Sequence, residues 1–245
     1  MTSKLLPWER RVPVGIQSGR RALSAPGARS QALLAVFVLA LAAQASAQVG
    51  PQMCGDPFRN HFGPFDYRRA SAETKKLVED AHFTVGIQSL TKPQNTMFRD
   101  MAQDVSYTLN VFPNHPRALL TMHRLATRWK SDPAPGTLVT VECWFDRAVR
   151  FRPDDTVVRS LYAKYLGDLR RTEESLRQLK LATEHAKDNP ISHYNIGLVY
   201  LEFGQFDLAL EQAHKAIAMG YARPELVDAL KKAGKWAEPA ATESK

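Results

Sequence analysis

The chain has 245 residues, 44% apolar and 24% charged, with 33 basic against 25 acidic side chains for a net charge of +8. Those fractions match the averages of globular chains, which excludes a wholly disordered or collagen-like protein, and two cysteines exclude a disulfide-dense miniprotein. No apolar run reaches the roughly 18 residues that a membrane span needs, so a multi-span protein is excluded too.

Residues 1–31 hold Lys4, Arg10, Arg11, Arg20, Arg21 and Arg29 against a single acid, Glu9. An uncharged apolar block, residues 32–43, follows, and then Ala45 and Ala47 in an A-x-A arrangement. A basic flank, an apolar block and a small-residue exit predict a secretory signal peptide over 1–47, cut after Ala47; the alternative is an uncleaved anchor helix. Cleavage there leaves 27 bases and 24 acids, a net +3, with no membrane span in the mature chain. The basic pI therefore comes mostly from the leader and is no argument for nucleic acid as a partner. The expected location is periplasmic or secreted. In that setting Cys54 and Cys143, 89 positions apart, either form a disulfide or are two buried, unrelated thiols. With no C-x-x-C, neither redox nor zinc chemistry is expected of them.

Residues 48–96 read as an irregular arm containing one helix. Phe58, Phe62, Phe65 and Tyr67 give it too many rings for a disordered tail. Ser71 is the expected cap of the helix, with Glu73 in the first turn and Leu77, Val78 and Ala81 on its apolar stripe. Gly86, Pro93 and Asn95 make residues 83–96 a loop, with a short strand expected near Val85–Ile87. From Phe98 the apolar period is helical: Phe98–Val111, residues 116–129 with Leu119, Met122 and Ala126, and a helix holding Val141, Phe145 and Ala148.

A self-similarity of 34 residues is clearest in 190–220. There the chain reads His193-x2-Ile196-Gly197-x2-Tyr200, then Ala209-x3-Ala213, then Ala216, with Gly204 at the turn. One period earlier, Ala163, Ser175 and Ala182 stand in the slots of Gly197, Ala209 and Ala216. The pattern resembles the tetratricopeptide repeat family, although His193, Ala213 and Tyr221 replace the Trp, Phe and Pro of the motif. The resemblance implies an all-α fold, a solenoid of antiparallel helix pairs in a right-handed superhelix. It would comprise a half-repeat over 97–115, repeats over 116–155, 156–189 and 190–221, a capping helix over 222–236 and a disordered tail over 237–245. The stretch joining the helices of the first full repeat is about six residues longer than the pattern, and the Asp154-Asp155 pair sits in the repeat-closing turn, where Asp caps the next helix.

In that family the first helix of each pair lines a concave groove that takes peptides or partner helices. Carried over, the groove would hold Arg117, Leu120, Arg124 and Arg128 from the first repeat and Val157, Ser160, Lys164 and Asp168 from the second. The last repeat would add Ile191, Tyr194, Asn195, Leu198, Leu201 and Glu202. It would grade from basic to apolar-aromatic. Asn195 matches an asparagine that some members use to hold a peptide backbone or terminal carboxylate, but their paired lysines are not evident. The aromatic arm is a second candidate occupant. No motif requires catalysis, a cofactor or a metal: Glu211 and His214 form a lone E-x-x-H, and Asp66 in an Asp-Tyr turn is the least explained acid. The resulting expectation is a non-enzymatic interaction scaffold for an envelope protein or peptide. The alternatives are a self-filled or homo-oligomeric module, or an enzyme with a site where arm and repeats meet.

Overall fold

The computed structural model describes residues 54–91 and 98–239. The leader, its cleavage point after Ala47, the first residues of the arm, the loop over 92–97 and the tail from 240 lie outside the described residues. Among those described there are ten helices and no strand: α1 Ala72–His82, α2 Val85–Gln88, α3 Phe98–Val111, α4 Pro116–Trp129, α5 Val141–Phe151, α6 Thr156–Asp168, α7 Thr172–Ala186, α8 Pro190–Glu202, α9 Phe206–Ala218 and α10 Pro224–Lys232.

The first helix of each successive pair starts at a side chain that accepts a backbone N–H. His115 caps α4 by accepting from Ala118 N, Asp155 caps α6 by accepting from Val158 N, and Asn189 caps α8 by accepting from Ser192 N. From Asp155 to Asn189 is 34 positions, and from His115 to Asp155 it is 40. The six extra residues lie in the loop between Trp129 and Val141. Each pair then turns back on itself, and α6 and α7, like α8 and α9, pack along their lengths. The result is a stack of antiparallel helix pairs, an α-solenoid.

Small residues set the spacing of the stack. A Cβ at Gly197 would lie 2.6 Å from Leu226 Cδ2 and 3.2 Å from Gln212 Cβ. That crossing therefore lets α8 settle between α9 and α10. Ala163, Ala182, Ala209 and Ala216 are likewise buried, and Ser175 Oγ donates to Ala163 O at 2.7 Å. Gly167 is a further close approach that the repeat pattern does not mark. A Cβ there would fall 2.4 Å from the Phe203 ring.

The buried side chains form two main clusters. One joins Phe83, Leu109, Met122, Phe145 and Leu166, and the other joins Leu179, Ile196, Tyr200, Ala213 and Leu230. The arm packs on a third, smaller cluster of Val78, Val111 and Phe112, to which Phe62 and Tyr67 add their rings. Cys54 and Cys143 are joined by a disulfide with a Cα–Cα distance of 4.8 Å. Phe58 packs on Phe151 at 5.6 Å between ring centres, Phe65 on Phe112 at 6.2 Å, and Tyr67 stacks on His115 at 3.9 Å. Ser71 caps α1 as expected, accepting from Thr74 N.

The strand expected near Val85–Ile87 is instead the single helical turn α2. Thr84 O receives the N–H groups of Ile87 and Gln88, and Val85 O receives that of Ser89, so the backbone satisfies itself locally. Two β-branched residues around Gly86 have no neighbouring strand to pair with among the described residues, and propensity yields to that. At the other end, the first residues of the expected tail lie against α9. His214 Nε2 meets Ala237 O at 2.8 Å, and its ring packs on Trp236 at 5.3 Å.

Candidate partner-binding groove

Two adjoining cavities run along the first helices of the pairs. The larger, about 640 Å³, lies against α4, α5 and α6 and is lined by Leu120, Arg124, Arg128, Lys164, Tyr165 and Asp168, among others. The second, about 260 Å³, lies between α6 and α8 and is lined by Val157, Ser160, Lys164, Asn195, Leu198 and Val199, among others. Leu161 and Lys164 belong to both walls, so the two cavities form one continuous surface.

Of the residues expected in the groove, Leu120, Arg124, Arg128, Lys164, Asp168, Val157, Ser160, Asn195 and Leu198 line it. Five others sit elsewhere. Ile191 is exposed and Leu201 is half-buried against the second cluster, and neither lines a cavity. Tyr194, one turn before Leu198, is buried against α10 and lines neither cavity. Its hydroxyl donates to Glu225 at 3.0 Å and its ring meets Tyr221 edge-on at 5.3 Å. The capping helix covers that flank, which a helical wheel of α8 alone cannot reveal. Arg117, in the first turn of α4, stands beside Tyr67 of the arm and so outside both cavities. Glu202 is exposed and ion-paired to Lys164, touching the groove through that lysine. The expected gradient is therefore basic at one end and aliphatic, not aromatic, at the other.

The charges of the groove are largely solvent-facing. Arg128 Nη1 donates to Leu90 O at 3.2 Å, which draws it toward the arm side. His123 lies 4.0 Å from Asp168, and burial pulls its imidazole below the ordinary value against the opposing pull of Asp168 and Asp132. It is neutral at pH 7 and adds no charge. Arg124 and Lys164 set the positive sign of this wall, with Asp168 as the local counterweight.

The described part of the arm does not fill the groove. None of residues 54–70 lines either cavity; they lie on α3, α5 and the turns beside them. Asp66, unexplained by sequence, is the hub of that attachment. Its Oδ1 accepts from Asn114 at 2.8 Å and from Arg68 Nε at 3.1 Å, and its Oδ2 accepts from Arg68 Nη2 and Arg152 Nε, each at 2.8 Å. Asn114 also donates to Asp155 at 2.9 Å and accepts from Tyr67 N. One carboxylate thus ties the arm to both inter-pair turns. Burial alone would raise the Asp66 carboxyl, but the bonds from Arg68, Asn114 and Arg152 outweigh it and hold the group well below the usual carboxylate range. No cluster of three or more His, Cys, Asp or Glu with metal-binding geometry occurs among the described residues.

No family model and no curated protein matches the chain. A solved structure does. The chain is similar to the MamA RS-1 ArsTM double mutant at 14% identity, over 67% of this chain and 88% of that one, with a TM-score of 0.37. A likeness that loose says nothing of activity, so the functional reading rests on the groove.

Sequence reasoning missed Gly167, His123 and the buried pair Trp144 and Arg147. Gly167 and His123 fall outside the repeat signature. Trp144 and Arg147, spaced i,i+3 on α5, read in sequence as an ordinary amphipathic face.

Proposed function

We propose that this protein is an exported, non-enzymatic adaptor of the tetratricopeptide repeat type, which holds an extended acidic-to-apolar segment of an envelope protein in its groove. The observation that carries this reading is the continuity of the two cavities through Leu161 and Lys164 along α4, α6 and α8. A segment laid along that surface meets Arg124 and Arg128 first, suited to bidentate pairing with carboxylates, and Val157, Leu198 and Val199 next. Asn195 is exposed in the second cavity, where its amide can satisfy a peptide's backbone groups. Export is supported by the leader and by the Cys54–Cys143 bond, which suits an oxidising compartment.

The test is photo-crosslinking from a reporter at Leu198 in the native cell envelope, with the products identified by mass spectrometry. A defined partner band should appear. The double variant Arg124→Glu, Arg128→Glu and the single variant Asn195→Ala should each reduce it severalfold without changing the thermal midpoint. If both variants crosslink as the parent does, the groove is not the binding surface. A band at twice the chain's own mass would mark self-association instead.

A further inference from the structure

A separate cavity of about 290 Å³ lies outside the groove, between α3, α5 and the extra residues of the loop between α4 and α5. Its walls are Ser106 and Asn110 of α3, Gly136–Val139 of the loop, and Trp144 and Arg147 of α5. Two buried side-chain nitrogens, Trp144 Nε1 and Arg147 Nε, have no hydrogen-bond partner, and both belong to residues of this wall. Trp144 is 3% exposed and Arg147 9%. The Arg147 guanidinium lies over the Trp144 ring, 4.9 Å from its centre, and an unpaired buried N–H on each is costly, so the pair marks a place that a partner would satisfy.

The rest of the wall narrows the chemistry of that partner. Arg147 Nη2 already donates to Asn110 Oδ1 at 2.8 Å, which occupies one of the two lone pairs of the amide oxygen. Ser106 Oγ donates to Ala102 O at 2.8 Å. The nearby carboxylates are engaged elsewhere: Asp146 with Arg150 at 2.6 Å, and Asp56 with the backbone N–H of Phe58 at 2.8 Å. The cavity thus offers donors and one positive charge but few acceptors. Leu138, Val139 and the Trp144 indole supply apolar surface beside them, and Leu138 at the rim is 98% exposed.

We propose that this cavity binds a small carboxylate that carries an apolar group, its two oxygens accepting from Trp144 Nε1 and Arg147 Nε. Two N–H donors and one charge match a monoanion with two oxygens. A phosphate dianion would set its second charge and remaining oxygens against Leu138 and Val139. Both nitrogens are shielded from solvent in the unliganded chain, so binding requires residues 136–139 to move aside. The same chemistry occurs in a free acid and at the C-terminus of a peptide.

Thermal-shift and fluorescence titrations of the full chain would use 4-methylpentanoate, phenylacetate and the dipeptide Ala-Leu, with the amide of each and inorganic phosphate as controls. At least one carboxylate should saturate, and its amide should not. A free acid that binds without the dipeptide identifies a metabolite site, and the reverse identifies a chain terminus. Trp144→Phe removes one donor and keeps an aromatic ring of smaller volume. It should weaken binding about tenfold, and the lost core volume should lower the thermal midpoint of the unliganded chain without unfolding it. Leu138→Asp, at a position too exposed to disturb folding, should weaken binding at least threefold by charge repulsion. The proposal is overturned if no carboxylate saturates, if the amides or phosphate bind as well, or if both variants bind like the parent.

Discussion

From α6 to α10 the helices hold one another through small residues at regular intervals. From Cys54 to α5 they are held by ties between distant positions. In the first region Gly197, Ala163, Ala209 and Ala216 let neighbouring axes approach, and the main helix contacts are with the next helix or the one after. In the second, a disulfide spans 89 positions, Asp66 reaches Arg152 and Asn114, and Arg150 Nη2 donates to Gly55 O at 2.8 Å. The difference shows what a repeat stack needs at its ends. Each pair leaves an apolar flank that only another element can cover. At one end α10 covers it, with Leu226 and Leu230 buried, and at the other an irregular arm does so and must be fastened.

The sharpest test of that contrast removes the fastening. The double variant Cys54→Ala, Cys143→Ala should lose about 4 kcal/mol in urea unfolding, since the closed loop is long. Hydrogen exchange should rise across 54–91 and stay unchanged in α8 and α9. Equal acceleration in both regions would mean that the halves are one cooperative unit. The reciprocal variant, Gly197→Val, forces a branched side chain against Leu226 and Gln212 and should cost about 3 kcal/mol, with exchange rising in α8–α10 and not in the arm.

Asp66→Asn leaves Arg68 and Arg152 without their shared carboxylate. Because both are half exposed, the loss should be about 2 kcal/mol, below that of a fully buried pair. Acid should mimic it. The folded carboxyl titrates below its unfolded value, so its contribution is whole above about pH 4 and is lost as pH falls further. Circular dichroism from pH 5 to pH 2, parent against variant, reads this directly.

His115 gives a pH dependence that begins in a higher window. Burial, with Arg117 and Lys75 nearby, pushes its imidazole down to about 3. The geometry agrees with a neutral ring, Nδ1 accepting from Ala118 N and Nε2 lying 3.2 Å from Glu79. At pH 7 the ring is neutral folded or unfolded. Below about 6.5 the unfolded chain takes up a proton that the folded chain refuses, so stability should fall by up to about 1.4 kcal/mol per pH unit until the folded value is reached. His115→Asn retains a capping side chain and should flatten that slope. Smallest of all, Lys164→Ala breaks an exposed pair with Glu202 and should move stability by no more than about 0.5 kcal/mol, while still weakening any partner held in the groove.

The sequence was most informative where structure is local. Apolar period and proline position mark α3 at Phe98–Val111 and α4 at Pro116–Trp129, and of the Asp154-Asp155 pair in the closing turn it is Asp155 that caps α6. Legibility faded with sequence distance. Asp66 could be seen as unusual, but nothing along the chain points to Arg152 or Asn114 as its partners. Tyr194 lies on the expected face of α8 by period alone, yet α10 arrives from outside that period and covers it.

The link between Cys54 and Cys143 also sets an order of events during synthesis. The first thiol emerges 89 residues before its mate, so it waits unpaired until α5 has been made. With two cysteines in the whole chain, no wrong bridge can form within one molecule. The error that remains open is a bond between two nascent copies, and crowding at the site of synthesis would decide how often it occurs.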